Sequence, residues 1–441
     1  MSFHSAQQAI DWIHSFSYLG MKPGLKRMEW LMERLGHPER LLKFVHIGGT
    51  NGKGSTLAFM RQVLQEAGYE VGSFTSPYLE RFHNRIQING RDIEDHHLVE
   101  AANAIKPLVD ELADTELGPP TEFEVVTAIA IYYFARIAYP DLVLWEVGLG
   151  GRLDSTNVVQ PILTVITNVG YDHLSILGDK LDQIATEKAG IIKSGVPLVT
   201  AVKDEAAFQI IKQTAEKKQA SVYRLGHAFH VEVERQDEDG LTCSYRSWFN
   251  QWSQINLGLK GCHQAENAAV AIMALEVLKQ FYAIVWEDEE LYLGLAQTSW
   301  PGRMEQVSQS PLVVVDGAHN PDGIQALVQS LREHYPGRKW TVLFAALKDK
   351  PIVEMLKALS QDPIERVILT QFDRTRRVKS AQEIMEELQQ SGWQPLYPVS
   401  LEADWHKAYQ QAKAVDTAIC FTGSLYFIAE VLASLSKRAR E

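Results

Sequence analysis

The order of apolar and polar positions divides the chain into alternating strand-like and helix-like stretches. Leu41, Leu42, Phe44 and Val45 predict a short buried strand, and residues 57–67 have helical spacing. Residues 70–75 predict a second strand, 95–113 and 122–138 predict helices, and "DLVLWEV" and "PILTVITNV" predict two further strands. Near-continuous apolar strands set between helices indicate a parallel sheet covered on both faces. Residues 228–258 differ: they alternate apolar and polar, with Asp239-Gly240 at the position of a hairpin turn, and predict a small antiparallel sheet on the edge of the first domain. Helical stretches follow at 263–281 and 291–297, and Pro301-Gly302 then punctuates the chain. A second alternation runs through "PLVVVD", helix 322–335, "WTVLFA", helix 351–361, "RVILT", helix 381–390, "TAICFTG" and a closing helix. The expected domains are residues 1–297 and 298–441, without internal repeats.

Bulk properties narrow the class. A chain of 441 residues is too long for one ordinary core, so two or three domains are expected. The composition is that of a globular protein, 46% hydrophobic and 22% charged. The net charge of −12 argues against nucleic acid, whose phosphates need a basic face. No window approaches the roughly 18 apolar residues of a membrane span. The amphipathic start "MSFHSAQQAIDWIHSF" lacks the apolar core of a signal peptide. Cys243, Cys262 and Cys420 are odd in number and far apart, which fits a reducing cytoplasm better than a disulfide framework or a zinc site.

Chemistry concentrates at strand ends. "HIGGTNGKGST" places four glycines and Lys53 between the first strand and the first long helix. In such a loop, free backbone N–H groups and a helix N-terminus face an anion, and Lys53 adds a point charge for the outer phosphates of a nucleotide. The spacing is not that of a strict P-loop: Ile47 stands where its first glycine belongs, and Gly54 separates Lys53 from Ser55. "LVLWEVGLGGRLDSTN" ends a strand in Glu146, and "TVITNVGYDHLSILG" ends one in Asp172 and His173. Acidic groups at strand ends beside a phosphate loop suit a divalent cation bridging ATP oxygens, although Mg²⁺ prefers oxygen to histidine. Read alone, His173 fits a loop histidine, Ser76 a turn hydroxyl before Pro77, and Lys188 a solvated helix residue.

Eight stretches occur in family order: "GTNGKGS", "TSPYL", "EVGLGGRLDSTN", "DHLSILG", "EKAGIIK", "HQAENAAVAI", "PGRME" and "DGAHNPDG". On these the chain resembles folylpolyglutamate synthase and dihydrofolate synthase, relatives of the Mur ligases, over nearly its whole length. Only 45 residues precede His46, too few for the UDP-sugar domain of a Mur ligase. The resemblance implies an α/β fold: a P-loop-containing, mostly parallel sheet domain with a small antiparallel edge sheet, plus a smaller Rossmann-like C-terminal α/β domain. It also implies ATP-dependent addition of L-glutamate through an acyl phosphate, to folates as tail extension, with the alternatives of dihydropteroate as acceptor or of both left open by the sequence. Carried over motif by motif, Gly49, Thr50, Asn51, Gly52, Lys53, Gly54 and Ser55 cradle the phosphates. Ser76, Glu146 and His173 hold Mg²⁺, with Ser55 a weaker candidate, and Lys188 matches the lysine that the family carbamylates. Asn267 matches the adenine-side residue, Arg303 reaches ATP when the domains close, Asp316 is a nucleotide contact delivered from the second domain, and His319 is its catalytic neighbour in the cleft.

The folate side is thinner. "YLGMKPGLKRM" (residues 18–28) and Phe123 of "TEFEVVTA" match the pteroate region loosely, and Phe123 reads equally well as core. In "DRTRRVK", Arg374, Arg376 and Arg377 form either a solvated loop or a site for glutamate carboxylates, which arginine can grip with two nitrogens. Two rivals stand against a ligase. A regulatory or motor NTPase would need a guanine-reading N-K-x-D or a Walker B acid near the loop, and neither is found. A non-catalytic nucleotide-binding module would not need Glu146, His173 and Lys188 round one site. A Mur-type ligase acting on another carboxylate is the third alternative. With every motif on one chain, a monomer is expected.

Overall fold

The computed structural model describes residues 2–20, 22–78, 81–373 and 377–438. Eight strands form the first sheet: β1 Phe44–Gly48, β2 Val71–Phe74, β3 Ile86–Ile88, β4 Arg91–Asp92, β5 Leu142–Glu146, β6 Leu163–Ile166, β7 Leu198–Thr200 and β8 Val222–Arg224. Their order is β4-β3-β2-β5-β1-β6-β7-β8, parallel from β2 to β8, with β3 and β4 added antiparallel at one edge. Alternate side chains of each central strand enter different cores, as a period of two requires. Val45, Ile47, Leu142 and Leu144 join the core beneath the helices Lys53–Glu66 and Cys262–Tyr282. Phe44, Val143 and Trp145 join the opposite core, beneath Asp95–Ala113 and Glu122–Tyr133. Burial on both faces is why these strands read as unbroken apolar runs.

The alternating segment folds as its own antiparallel sheet, β9 Phe229–Asp237, β10 Gly240–Ser247 and β11 Gln251–Leu257. Its inner face shares a core with Cys262–Tyr282, and Asp237 pairs with Gly240, so the tight turn lies at Glu238-Asp239. A second parallel sheet follows, from β12 Glu305–Gln309, β13 Leu312–Val315, β14 Trp340–Phe344, β15 Ile364–Gln371, β16 Val399–Asp404 and β17 Ala418–Thr422. Its order is β12-β13-β17-β14-β15-β16, with only β12 antiparallel. The mixed α/β architecture is the one expected. No helix among the described residues is long and apolar enough to cross a membrane.

Two local expectations are corrected. The first strand runs from Phe44 to Gly48 rather than over 41–45, because Pro38–Leu41 forms a 3-10 turn that leaves Leu41 in solvent. The helix after the glycine loop begins at Lys53, four residues ahead of the apolar spacing, because Gly52 takes the left-handed φ of 84° that ends the loop.

Candidate active site

In both sheets the loops that leave the C-terminal ends of the central strands meet in one cleft, the usual place for a ligand in an open α/β sheet. β1 ends at Gly48, and Gly49 turns the chain with φ 146°. A Cβ on Gly49 would stand 1.9 Å from Thr167 Oγ1, and one on Gly52 2.3 Å from Asn267 Oδ1, so neither position admits a side chain. Asn168 fixes the loop by accepting from the N–H groups of Thr50 (3.0 Å) and Asn51 (2.8 Å). Thr167 Oγ1 donates to the Asn51 carbonyl at 2.6 Å. Helix Lys53–Glu66 has no side-chain cap, so its N-terminus keeps backbone N–H groups for an anion.

Lys53 Nζ donates to the carbonyls of Gly49 (3.2 Å) and Thr50 (3.3 Å) and lies 3.9 Å from Glu146 Oε1. Glu146 is buried at the end of β5 and accepts from the Ser76 N–H at 3.1 Å. Burial pushes its carboxyl up, against the pull of Lys53, the Ser76 N–H and Arg303. Such a carboxylate is completed by a nearby cation. Lys188 is 3% exposed in helix Leu181–Ala189, and among the described residues nothing accepts a hydrogen bond from its amine. Burial, reinforced by the charge of Lys53 and opposed by Asp172, lowers it to about 7.

Asp172 is where the two sheets join. Its Oδ1 accepts from Lys350 Nζ at 2.6 Å and from the His173 N–H at 2.8 Å. Its Oδ2 accepts from Asn320 Nδ2 at 3.2 Å and lies 3.5 Å from His319 Nε2. Burial alone would raise this carboxyl, but the hydrogen bond and charge of His319, with Lys350 and His173, hold it well below the usual carboxylate range. Asn320 caps helix Pro321–His334 and also donates to Asn51 Oδ1 at 2.9 Å, so the second sheet touches the glycine loop directly. Lys350 was not legible as a site residue: it lies in a polar stretch 178 positions from its partner, and only the folded chain brings the two together.

The other expected residues spread around this centre. His173 has φ 50°, rare for a side chain of its size, and its ring lies 3.8 Å from Asp349 and 3.9 Å from Asp172. Burial, then Lys350, lowers it to about 4, so it is a neutral ring at neutral pH. Ser76 and Glu146 are joined, whereas His173 faces the second sheet. Among the described residues, the cluster of His, Cys, Asp and Glu with donor atoms all within 4.8 Å is Glu94, His96 and His97 on another helix, not this site. Mg²⁺ keeps several waters and does not need a closed cage of protein ligands, so Glu146 and its neighbours still fit it.

Asn267 lies against Gly52 and is held by Gln264 at 2.9 Å. Arg303 has a buried Nε without a hydrogen-bond partner among the described residues, and its charge acts on both Glu146 and Asp316. Asp316 accepts from the N–H groups of Met304 and Ala318, each at 2.9 Å, and His319 Nδ1 lies 2.9 Å from the Gly317 carbonyl. Phe123 covers the Gly148 turn, where a Cβ would meet it at 2.5 Å, and packs on Phe74 with ring centroids 5.9 Å apart. Arg377 donates to Asp349 at 3.0 Å, while Arg374 and Arg376 lie outside the described residues.

Residues 47–275 match the Mur ligase middle domain, and residues 302–425 match the Mur ligase, glutamate ligase domain. The chain is 42% identical to the dihydrofolate synthase/folylpolyglutamate synthase of Bacillus subtilis over 431 residues, covering 97% of this chain and 99% of that protein. It is 34% identical to the folylpolyglutamate synthase of Lacticaseibacillus casei over 433 residues, 97% and 98% of the two chains. The folylpolyglutamate synthase of Mycobacterium tuberculosis, solved with ADP and AMPPCP, superimposes with a TM-score of 0.89 at 28% identity, over 98% and 99% of the two chains.

Proposed function

The chain belongs to the folylpolyglutamate synthase/dihydrofolate synthase family of Mur ligases, and on that premise we propose how its own residues carry out the reaction. The enzyme is an ATP-dependent ligase that adds L-glutamate to folates. Its substrates are small molecules, ATP and a folate among them. The single observation that carries the residue assignment is the corner where Lys53, Glu146 and the uncapped start of helix Lys53–Glu66 converge on the end of β1, with buried Lys188 close enough for its amine to feel Lys53.

A carboxylate does not condense with an amine in water. A folate carboxylate oxygen therefore attacks the γ-phosphorus of ATP, the bond to the β-phosphate oxygen breaks, and ADP leaves. The glutamate amine then attacks the acyl carbon, phosphate departs with the acyl oxygen, and the amine loses a proton. Chemistry of this kind rests on positioning and charge neutralisation rather than on a covalent enzyme intermediate. The N–H groups of Lys53, Gly54 and Ser55 and the Lys53 ammonium receive the transferred phosphoryl group, while Gly49, Thr50, Asn51 and Gly52 hold the loop open. Asn267 fills the adenine side. Arg303 enters from the linker, and Asp316 shapes the loop that carries His319 and Asn320 to Asp172, so catalysis follows closure of the second sheet on the first.

A bound Mg²⁺ would supply positive charge that lowers the repulsion between the phosphates and the attacking carboxylate. Ser76, Glu146 and His173 would hold it, directly or through water. Lys188, lowered to about 7, has the neutral amine that addition of CO₂ requires. Its carbamate would turn this buried amine into an anion that would order the metal site. Phe123 serves the folate side, the basic stretch of Arg374, Arg376 and Arg377 serves the glutamate carboxylates, and dihydropteroate is a second acceptor. A division of the chain after Gln297, a monomeric working unit and a cytoplasmic location complete this reading.

The test is phosphate release with each substrate omitted in turn. Turnover should require ATP, a folate or dihydropteroate, and L-glutamate together. Release that continues without folate and glutamate would make the protein an NTPase.

A further inference from the structure

One helix of the glutamate ligase domain meets the middle domain at both of its ends. Pro321–His334 is 14 residues long, a span of about 21 Å. At its start Asn320 reaches Asp172 and Asn51. At its end His334 is fully buried between two backbone groups of the middle domain. Its Nε2 lies 2.7 Å from the Gly261 nitrogen, and its Nδ1 lies 2.7 Å from the Asp237 carbonyl oxygen. A backbone N–H only donates and a carbonyl only accepts, so both ring positions are decided: Nε2 accepts and Nδ1 carries the proton. The ring is neutral in this arrangement, because a second proton would face the Gly261 N–H.

The approach is close. Gly261 has φ 111°, and a Cβ there would stand 2.7 Å from Ser330 Oγ and 2.6 Å from the His263 ring, so the helix packs directly on backbone. Gly261 is the N-cap of helix Cys262–Tyr282 and has no side chain of its own to fix that end. Within two turns of it, Asn267 is seated against Gly52 of the phosphate loop. Charged and titratable groups face the ring from each element around it: Asp237 from β9, Lys260 and His263 on either side of Gly261, and Glu333 from its own helix. Burial lowers the pKa of His334 below 6.5; the hydrogen bond to Asp237 opposes that shift and the charge of Lys260 adds to it. Lys260 also donates to the Glu238 carbonyl at 2.9 Å and sits 5.3 Å from the ring centre of Tyr335, so the joint keeps a second contact when the histidine is changed.

We propose that His334 is a positioning residue for the nucleotide side of the site: as a neutral ring it ties Gly261, and through helix Cys262–Tyr282 also Asn267, to the helix whose cap holds Asn51. The proposal rests on the ligase reading given above, which puts Asn267 on the adenine side. One rigid element then sets two walls of the nucleotide site, the glycine loop and the start of helix Cys262–Tyr282. A ring freed from the joint returns to its ordinary value and binds the proton that the joined ring rejects. The joint therefore weakens as pH falls below 6.5 and is indifferent to pH above it.

The test is calorimetric binding of the ATP analogue AMPPCP to the full chain, with steady-state kinetics, for the parent, His334→Phe and His334→Gln from about pH 5.5 to 8. At the upper end, His334→Phe should weaken AMPPCP binding and raise the KM for ATP about fivefold or more, since it leaves the Gly261 N–H and the Asp237 carbonyl unpaired. KM for folate and for glutamate should stay within about twofold of the parent, a change too small for a lost buried hydrogen bond. His334→Gln can still accept from Gly261 but does not titrate. On acidification the parent should therefore lose affinity relative to His334→Gln, a ratio in which the titration of the analogue's own phosphates cancels. If His334→Phe does not fold, that ratio decides the matter. AMPPCP affinities within about twofold of the parent in every folded variant, or a ratio that stays flat with pH, would overturn the proposal. Equal rises in all three KM values would also overturn it, assigning His334 to domain closure in general. Absence of glutamate-dependent turnover in a parent protein that binds AMPPCP would instead strike at the ligase reading.

Discussion

Glu146 ends β5 of the eight-stranded sheet and Asp316 follows β13 of the six-stranded one, and both carboxylates are buried where the sheets meet. Burial pushes both carboxyls up. Their partners differ. Asp316 is bound by two N–H groups of its own sheet's loops, from Met304 and Ala318. Glu146 has one backbone N–H and faces Lys53 at 3.9 Å, beyond hydrogen-bond range. The first domain keeps charge uncommitted on Glu146 at a strand end, on Lys188 in helix Leu181–Ala189 and at the start of helix Lys53–Glu66, and the proposed function leaves that capacity for substrates. The second sheet commits its charge to loop shape, and so presents His319, Asn320 and Lys350 to Asp172 in fixed positions. Under the proposed function, equivalent strand ends serve chemistry in one sheet and delivery in the other.

The comparison breaks first at Lys53. Lys53→Ala should lower kcat/KM by about a thousandfold or more, the scale of losing a charge aimed at the reacting group, while circular dichroism stays unchanged. A modest loss would mean that the glycine loop is only a turn.

Lys188 should rank next. Lys188→Ala is expected to lose most activity and to regain part of it with added short carboxylic acids, whereas Lys188→Arg should remain inactive despite its charge. The pH dependence follows from the sign of the shift. Folding lowers this amine from 10.5 to about 7, so in the folded protein the neutral form gains from below pH 7 upward. At fixed free CO₂, labelled-carbon NMR should show carbamate increasing as pH rises through about 7. Over the window from about 7 to 10.5 the unfolded chain binds the extra proton, so the CO₂-free protein should gain stability with rising pH, and Lys188→Met should remove that gain. Full activity in Lys188→Arg would make Lys188 an ordinary cation.

Lys350→Met tests delivery. Removing one partner of a buried ion pair costs about 3–5 kcal/mol when the structure stays closed, so the sheets should separate more readily. Small-angle scattering should report a larger radius of gyration, with kcat falling about tenfold as closure becomes rarer. An unchanged radius and rate would remove Asp172 as the joint. The smallest effect belongs to Asp316→Asn: a loss of about 1–2 kcal/mol in stability from weakened loop hydrogen bonds, with kcat reduced much less than by Lys53→Ala. A kinetic collapse there would place Asp316 on the nucleotide instead.

Parts of this contrast were legible in the chain. Strands buried on both faces leave unbroken apolar runs, so β5, β6, β13 and β14 were visible with Glu146 and Asp316 at their ends. The glycine loop was visible because positive φ and close approach exclude other residues at Gly49 and Gly52. Leu41 misled, since an apolar residue in a 3-10 turn looks the same in sequence as one in a strand. The joint at Asp172 was hidden, because its partners Asn320 and Lys350 lie 148 and 178 positions away and carry no local pattern. His334 was hidden for a different reason: the proton of a buried histidine is placed only when the partners of both ring nitrogens are known.

The central claim is that the first sheet activates a carboxylate by phosphoryl transfer before glutamate attacks. The direct measurement uses a folate whose reacting carboxylate carries oxygen-18, with ATP and L-glutamate, and mass spectrometry of the released phosphate. Activation through an acyl phosphate predicts that one labelled oxygen moves from the folate to the phosphate for each amide formed. Phosphate without the label, while glutamylated folate accumulates, would contradict the account.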